Sequence, residues 1–116
     1  PLGGHYHISH GLSNSLVLPH VLRFNLSDAV QAYAELAHVV NPYARAKPVT
    51  LAEYFIEAMQ TLISAVKIPT TLRQLNVPET DLPMLAKDAL LQQRLLMNNP
   101  RLVTEADALA IYQAAY

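Results

Sequence analysis

The sequence predicts an all-α protein, a multi-helical array of about five to seven helices without a substantial sheet. Two observations predict this fold class. Apolar residues recur every three or four positions through most of the 116 residues, which is the spacing of a helix that buries one face. Residues that start helices (Ser, Thr, Asp) and pairs that stop them (Asn-Pro, Ile-Pro) punctuate these stretches, and no stretch gives a strong strand signal.

The chain begins with a predicted loop that leads into a predicted buried helix. Gly3 and Gly4 allow backbone angles that other residues avoid, and neither a helical nor a strand period holds in residues 1–10. Residues 11–26 keep no polar face, which predicts a central buried helix. Pro19 removes a backbone donor from that helix and clashes with the preceding turn, so a kink or break is predicted there.

Two longer helices are predicted next, each with its own start and stop. Ser27 followed by Asp28 is a hydroxyl cap with an acid near the positive helix end, and it predicts a helix to about Val40. Thr50 and Glu53 form a predicted capping box for a helix that ends near Val66. Shorter helices are predicted over 70–75, 82–91 and 92–97, and a last helix, capped by residues 104–107, over 104–115.

Composition indicates which partners this protein has. Hydrophobic residues make up 52% of the chain and charged residues 15%, so we expect apolar surface to be covered by another domain or by a second copy in a homo-oligomer. The net charge of −1, without a basic patch, argues against nucleic acid. No apolar run is long enough for a membrane span, and the absence of cysteine fits the cytoplasm. The start at Pro1 suggests a position inside a longer protein.

The five histidines are the main candidates for chemistry. His5, His7 and His10 lie within six positions, and neutral imidazole is a common ligand of zinc and iron. The alternative is that these three are exposed loop residues, and their spacing alone leaves both readings open. His20 is predicted to be a structural histidine with its hydrogen bonds satisfied, and His38 to lie on a solvated or half-buried helix face.

Two segments carry a resemblance to a known family. The opening PLGG, followed by HGLSNSLVLPHVLRFN at residues 10–25, resembles the start of the helical half of iron-containing (group III) alcohol dehydrogenases. Residues 98–107 and the alanine-rich closing helix resemble that family's C-terminal end. The resemblance implies a dehydroquinate synthase-like C-terminal helical domain over residues 1–116, from a two-domain enzyme whose N-terminal domain binds NAD or NADP.

The resemblance assigns a role to one residue of this chain. His10 matches the last histidine of the family's metal-ligand set, an aspartate and three histidines that hold Fe²⁺ or sometimes Zn²⁺. The other ligands would lie upstream, so we expect the isolated chain to be inactive and to bind neither metal nor NAD(P) stably. No residue is assigned as catalytic or cofactor-binding, and His5 is left as a candidate for lining the site.

The implied function is hydride transfer between a small alcohol or aldehyde and NAD(P). Two alternatives stay open at this point. One is a relative that reduces other carbonyls, as maleylacetate reductases do. The other is a stand-alone helical binding or assembly module that keeps the motif only for packing.

Overall fold

The computed structural model describes residues 1–116 as six α-helices joined by turns, with no β-strand. The helices are α1 (Leu2–Tyr6), α2 (His10–Val40), α3 (Pro48–Ala65), α4 (Leu82–Ala89), α5 (Gln93–Leu96) and α6 (Glu105–Ala114). Short 3₁₀ turns at Arg73–Leu75 and Glu79–Asp81 lie between α3 and α4. The all-α prediction is confirmed, and so is the number of helices. None of the six combines the length and the hydrophobicity that a membrane-spanning helix needs.

Helix α2 runs the length of the molecule. Its 31 residues would extend about 46 Å as a straight helix, and the longest dimension of the chain is 43 Å. The backbone leaves helical angles at Ala29 (φ −137°, ψ 17°), just after the predicted start at Ser27. The angles around Pro19 stay helical, so the break predicted there is wrong. Pro19 is itself buried. Burial of its ring offsets the free-energy cost of the backbone hydrogen bond that proline cannot donate.

Helix α2 takes part in two hydrophobic cores. Its first half packs with α1, α4 and α6, and its residues from Leu22 onward, on both sides of the bend at Ala29, pack with α3. Because the first half has partners on only some of its sides, Leu16, Pro19 and Asn25 are its only buried residues. The predicted central position of this helix is therefore confirmed, but its burial on every side is wrong.

Local signals fix some helix ends and not others. The capping box of α6 is present: the Thr104 hydroxyl accepts from the Asp107 amide at 3.2 Å, and the Asp107 carboxylate accepts from the Thr104 amide at 3.0 Å. The hydrogen bonds that the Asp107 carboxylate accepts from the Thr104 amide and hydroxyl lower the pKa of Asp107. The box predicted at Thr50 is wrong, because α3 begins at Pro48, which is favoured at the first helical position since it has no amide to leave unpaired.

Residues 1–10 differ from the predicted loop. Leu2–Tyr6 form one helical turn, and neither glycine in it has a positive φ. Gly3 serves a different purpose, because a Cβ there would lie 3.3 Å from the carbonyl oxygen of Ile8. The glycine therefore lets the chain fold back closely before α2 begins. His7 provides the reversal with a left-handed φ of 56°.

Candidate metal and substrate site

The first turn of α2 presents His10 at the surface. Ser9 caps the helix, and its hydroxyl accepts from the Leu12 amide at 3.4 Å. This cap makes His10 the first helical residue and leaves its side chain exposed. The position of His10 is therefore set by a local signal in the sequence.

Side-chain contacts join helix α1 to α4 and to the turn before α4. They fix the position of the segment that precedes His10. The His5 imidazole lies 2.5 Å from the Asp88 carboxylate, and the Tyr6 hydroxyl donates to Asp81 at 2.5 Å. Burial, and then this hydrogen bond, raises the pKa of Tyr6 to about 12. Leu2 is buried in the first core. The segment before His10 is thus held at three points, none of which is adjacent in sequence to its partner.

His5, His7 and His10 lie in different surroundings. His5 contacts Asp88 and does not line the cavity beside His10, and its candidacy as a residue lining the site of the full enzyme stays a prediction. His7 is exposed at the end of α1. No group of three or more His, Asp or Glu residues in the chain could hold a metal ion. The spacing of His5, His7 and His10 therefore does not translate into a shared site.

The remaining histidines lie farther along α2. His20 is half-buried, and burial, with a smaller contribution from the Arg23 charge, lowers its pKa. Its ring makes no hydrogen bond with the rest of the chain, unlike the satisfied structural histidine that was predicted. His38 is half-buried near the end of the helix, as predicted.

Asn14 orients the His10 ring. Its side-chain amide lies 3.1 Å from Nε2 of His10, one helical turn away, where side chains four residues apart meet. The other ring nitrogen, Nδ1, makes no hydrogen bond within the chain. Because an amide nitrogen can only donate, Nε2 of His10 accepts this hydrogen bond and the proton of the neutral ring lies on Nδ1. Ligation of a metal by His10 would therefore require the contact with Asn14 to be exchanged. Sequence reasoning missed this role, although the four-residue spacing could have indicated it.

A cavity of about 390 Å³ opens beside His10. Its wall combines polar side chains with apolar ones, among them His10, Ser13, Asn14, Gln92, Ile8, Val17 and Leu95. We call it the His10 cavity. The hydroxyl of Ser13 is buried and has no hydrogen-bond partner in the chain. Because a buried unpaired hydroxyl is costly, a ligand that offers a polar group here gains a ready partner. Sequence reasoning missed Ser13 as well.

The whole chain matches one family model. That model describes the C-terminal part of the Fe-containing alcohol dehydrogenase family, and the match covers residues 1–116. The chain belongs to the iron-containing alcohol dehydrogenase family. The resemblance carried by PLGG and by residues 10–25 is confirmed by this match.

Comparison with individual relatives shows what share of their length this chain covers. It is 36% identical to long-chain-alcohol dehydrogenase 1 of Geobacillus thermodenitrificans, over all of this chain and 30% of that protein. It is 34% identical to lactaldehyde reductase of Escherichia coli K12, again over all of this chain and 30% of the relative. The crystal structure of a 1,3-propanediol oxidoreductase superposes with a TM-score of 0.92 at 35% identity, over 99% of this chain and 30% of that one.

The chain thus spans about 30% of the length of the relatives that it matches. Within this part of an iron-containing alcohol dehydrogenase, the exposed His10 imidazole is a candidate for one metal ligand. A structural or catalytic metal site needs three or more protein donors, and the chain brings no three such residues together.

Proposed function

We propose that residues 1–116 form the C-terminal helical, metal-binding domain of an NAD(P)-dependent, iron-containing alcohol dehydrogenase. The full enzyme would interconvert alcohols and aldehydes or ketones. The observation that carries the proposal is the position of His10: it heads α2, its ring contacts the Asn14 amide, and it lines a cavity with both polar and apolar walls. The 116-residue family match supports the same proposal.

The residues of this chain would bind and orient the substrate. His10 would contribute one ligand for Fe²⁺ or Zn²⁺, and the Ser13 hydroxyl would hydrogen-bond a polar group of the alcohol in the same cavity. When bound, the metal would supply polarisation of the alcohol oxygen and the nicotinamide would supply the hydride acceptor. The apolar residues of the cavity wall would keep water away from the reacting carbon, which would strengthen the polar interactions there.

Relatives leave the substrate open, because their names cover a long-chain alcohol, lactaldehyde and 1,3-propanediol. A maleylacetate reductase-like activity is the nearest alternative, and a stand-alone binding module is the more distant one. We also expect the enzyme to be cytoplasmic and a homo-oligomer. Apolar side chains left exposed on α2 and α3 support a further contact there, among them Val39 at 78% exposure and Leu62 at 55%.

The test is metal analysis of the full-length gene product that contains this chain. We expect about one Fe²⁺ or Zn²⁺ per subunit and NAD(P)-dependent alcohol oxidation. His10→Ala should weaken metal binding by more than about 100-fold, since even residues that only support a ligand contribute about 10–100-fold. His7→Ala is the matched control and should bind metal normally.

Two results would count against the proposal. Normal metal content in His10→Ala would remove His10 from the ligand set. A full-length protein with neither metal nor dehydrogenase activity would favour the stand-alone module.

A further inference from the structure

Helix α1 and its flanking residues form one wall of the His10 cavity. The residues of this wall are Pro1, Leu2, Gly3 and Ile8. Because α1 is only five residues long, it is too short to be stable as an isolated helix. The shape of the wall therefore depends on the contacts that hold α1 to the rest of the chain.

The other side of α1 contacts two carboxylates that belong to α4 and to the turn before it. The Tyr6 hydroxyl donates to Asp81 at 2.5 Å, and the His5 imidazole lies 2.5 Å from Asp88. None of these four residues lines the His10 cavity. Hydrogen bonds to a charged acceptor are about twice as strong as those between neutral groups. The wall is therefore held from behind, by groups that lie outside the cavity lining.

Asp88 also acts on a second wall of the same cavity. Tyr112 of α6 lines the cavity, and its side chain is buried. Burial, and then the negative charge of Asp88, raises the pKa of Tyr112. Since α4 also packs directly on α6, it supports both the α1 wall and the α6 wall.

We propose that Asp81 and Asp88 are positioning residues for the alcohol substrate, because they hold α1 where it completes the cavity beside His10. This inference rests on the proposed function. If α1 leaves this position, the cavity loses a wall, and only the molecules with α1 in place bind the substrate tightly. The apparent affinity then falls in proportion to that fraction. The rate of the bound complex stays the same, so the change appears in KM and not in kcat.

The test is steady-state kinetics of the full-length enzyme with 1-propanol as the varied substrate. Tyr6→Phe removes only the hydroxyl that donates to Asp81. We expect KM to rise by about tenfold, which is the population change that loss of one hydrogen bond to a charged group can cause. The values of kcat and of metal content should equal those of the wild type. Tyr43→Phe is the matched control, because Tyr43 is 87% exposed, and it should leave KM unchanged.

Variants of the two carboxylates provide a second measurement. Asp81→Asn keeps an oxygen that accepts from Tyr6, so it should retain most of the affinity that Asp81→Ala loses. Asp81→Ala added to Tyr6→Phe should raise KM no further, because both changes remove the same hydrogen bond. Asp88→Ala removes the partner of His5 and should also raise KM. Asp28→Ala, at an exposed acid of α2, should not.

The outcomes separate this inference from the proposed function. An active enzyme with the same KM in the wild type, in Tyr6→Phe and in Asp88→Ala would overturn the inference and leave the proposed function in place. A lower Tm in these variants with unchanged KM would show that the contacts only stabilise the fold, which would overturn it as well. A full-length protein without dehydrogenase activity on any alcohol would overturn both.

Discussion

Substitution of Asn99 by alanine should be among the most destabilising changes at a partly exposed residue of this chain. Asn99 and the buried Asn25 exchange two side-chain hydrogen bonds of 2.7 and 2.8 Å, and Asn99 also donates to the Arg101 carbonyl. Arg101 also contacts α2: its guanidinium donates to the Phe24 carbonyl at 2.9 Å and stacks over the Phe24 ring. These contacts fasten the segment after α5 to α2.

The magnitude follows from the three hydrogen bonds of Asn99. At about 1 kcal/mol each, their loss lowers the free energy of unfolding by about 3 kcal/mol. For a chain of this length that is a fall in Tm of about 12 °C. Because Asn25 is only 4% exposed, its amide is left without a partner, which places the cost at the upper end of the usual range.

Urea unfolding followed by circular dichroism measures this cost. Asn98→Ala is the matched control: Asn98 is exposed and makes one side-chain hydrogen bond, of 3.3 Å, so its loss should change stability by less than about 0.5 kcal/mol. A double-mutant cycle with Asn25→Ala isolates the pair. If Asn99→Ala is as stable as Asn98→Ala, or if the cycle gives no coupling, the pair does not hold this segment.

Two further predictions concern Ser13 and His20. Ser13→Ala removes an unpaired buried hydroxyl, so we expect Tm to stay equal or rise while KM for alcohols increases in the full-length enzyme; a fall in Tm would show that the hydroxyl is already satisfied. The pKa of His20 is lowered in the folded state, so unfolding binds a proton and stability should fall as pH drops below about 6.5. His20→Gln should flatten that part of the pH–stability curve relative to wild type, and identical curves would contradict this.

Local signals predicted the parts of the fold that depend on neighbouring residues. The cap at Thr104 and Asp107 is a reciprocal contact within four positions, so the sequence predicts it directly. Helix burial was predicted less well. Leu91 and Met84, in the helix predicted over 82–91, are 75% and 39% exposed, because α4 ends at Ala89 and buries Leu82, Leu85 and Ala86 instead.

In the candidate site, too, features that depend on neighbouring residues could be predicted, and contacts between distant residues could not. His10 was singled out by a motif in consecutive residues, and its role as a metal ligand stays a prediction. The ties from His5 to Asp88 and from Tyr6 to Asp81 join residues more than seventy positions apart. No periodicity links such pairs, because their approach is decided by how α1 packs on α4. The same reasoning explains why Ser13 was missed, since its burial depends on what covers it.

The sequence alone determined that this protein is helical, where most helices start and stop, and which histidine heads the long helix. Hydrogen bonds and apolar contacts between residues three or four apart are sufficient for those conclusions. Only the tertiary structure decided that α2 bends at Ala29 rather than at Pro19, and that His5 meets Asp88. Both depend on packing between helices that are distant in sequence, which overrides the preference of a single residue.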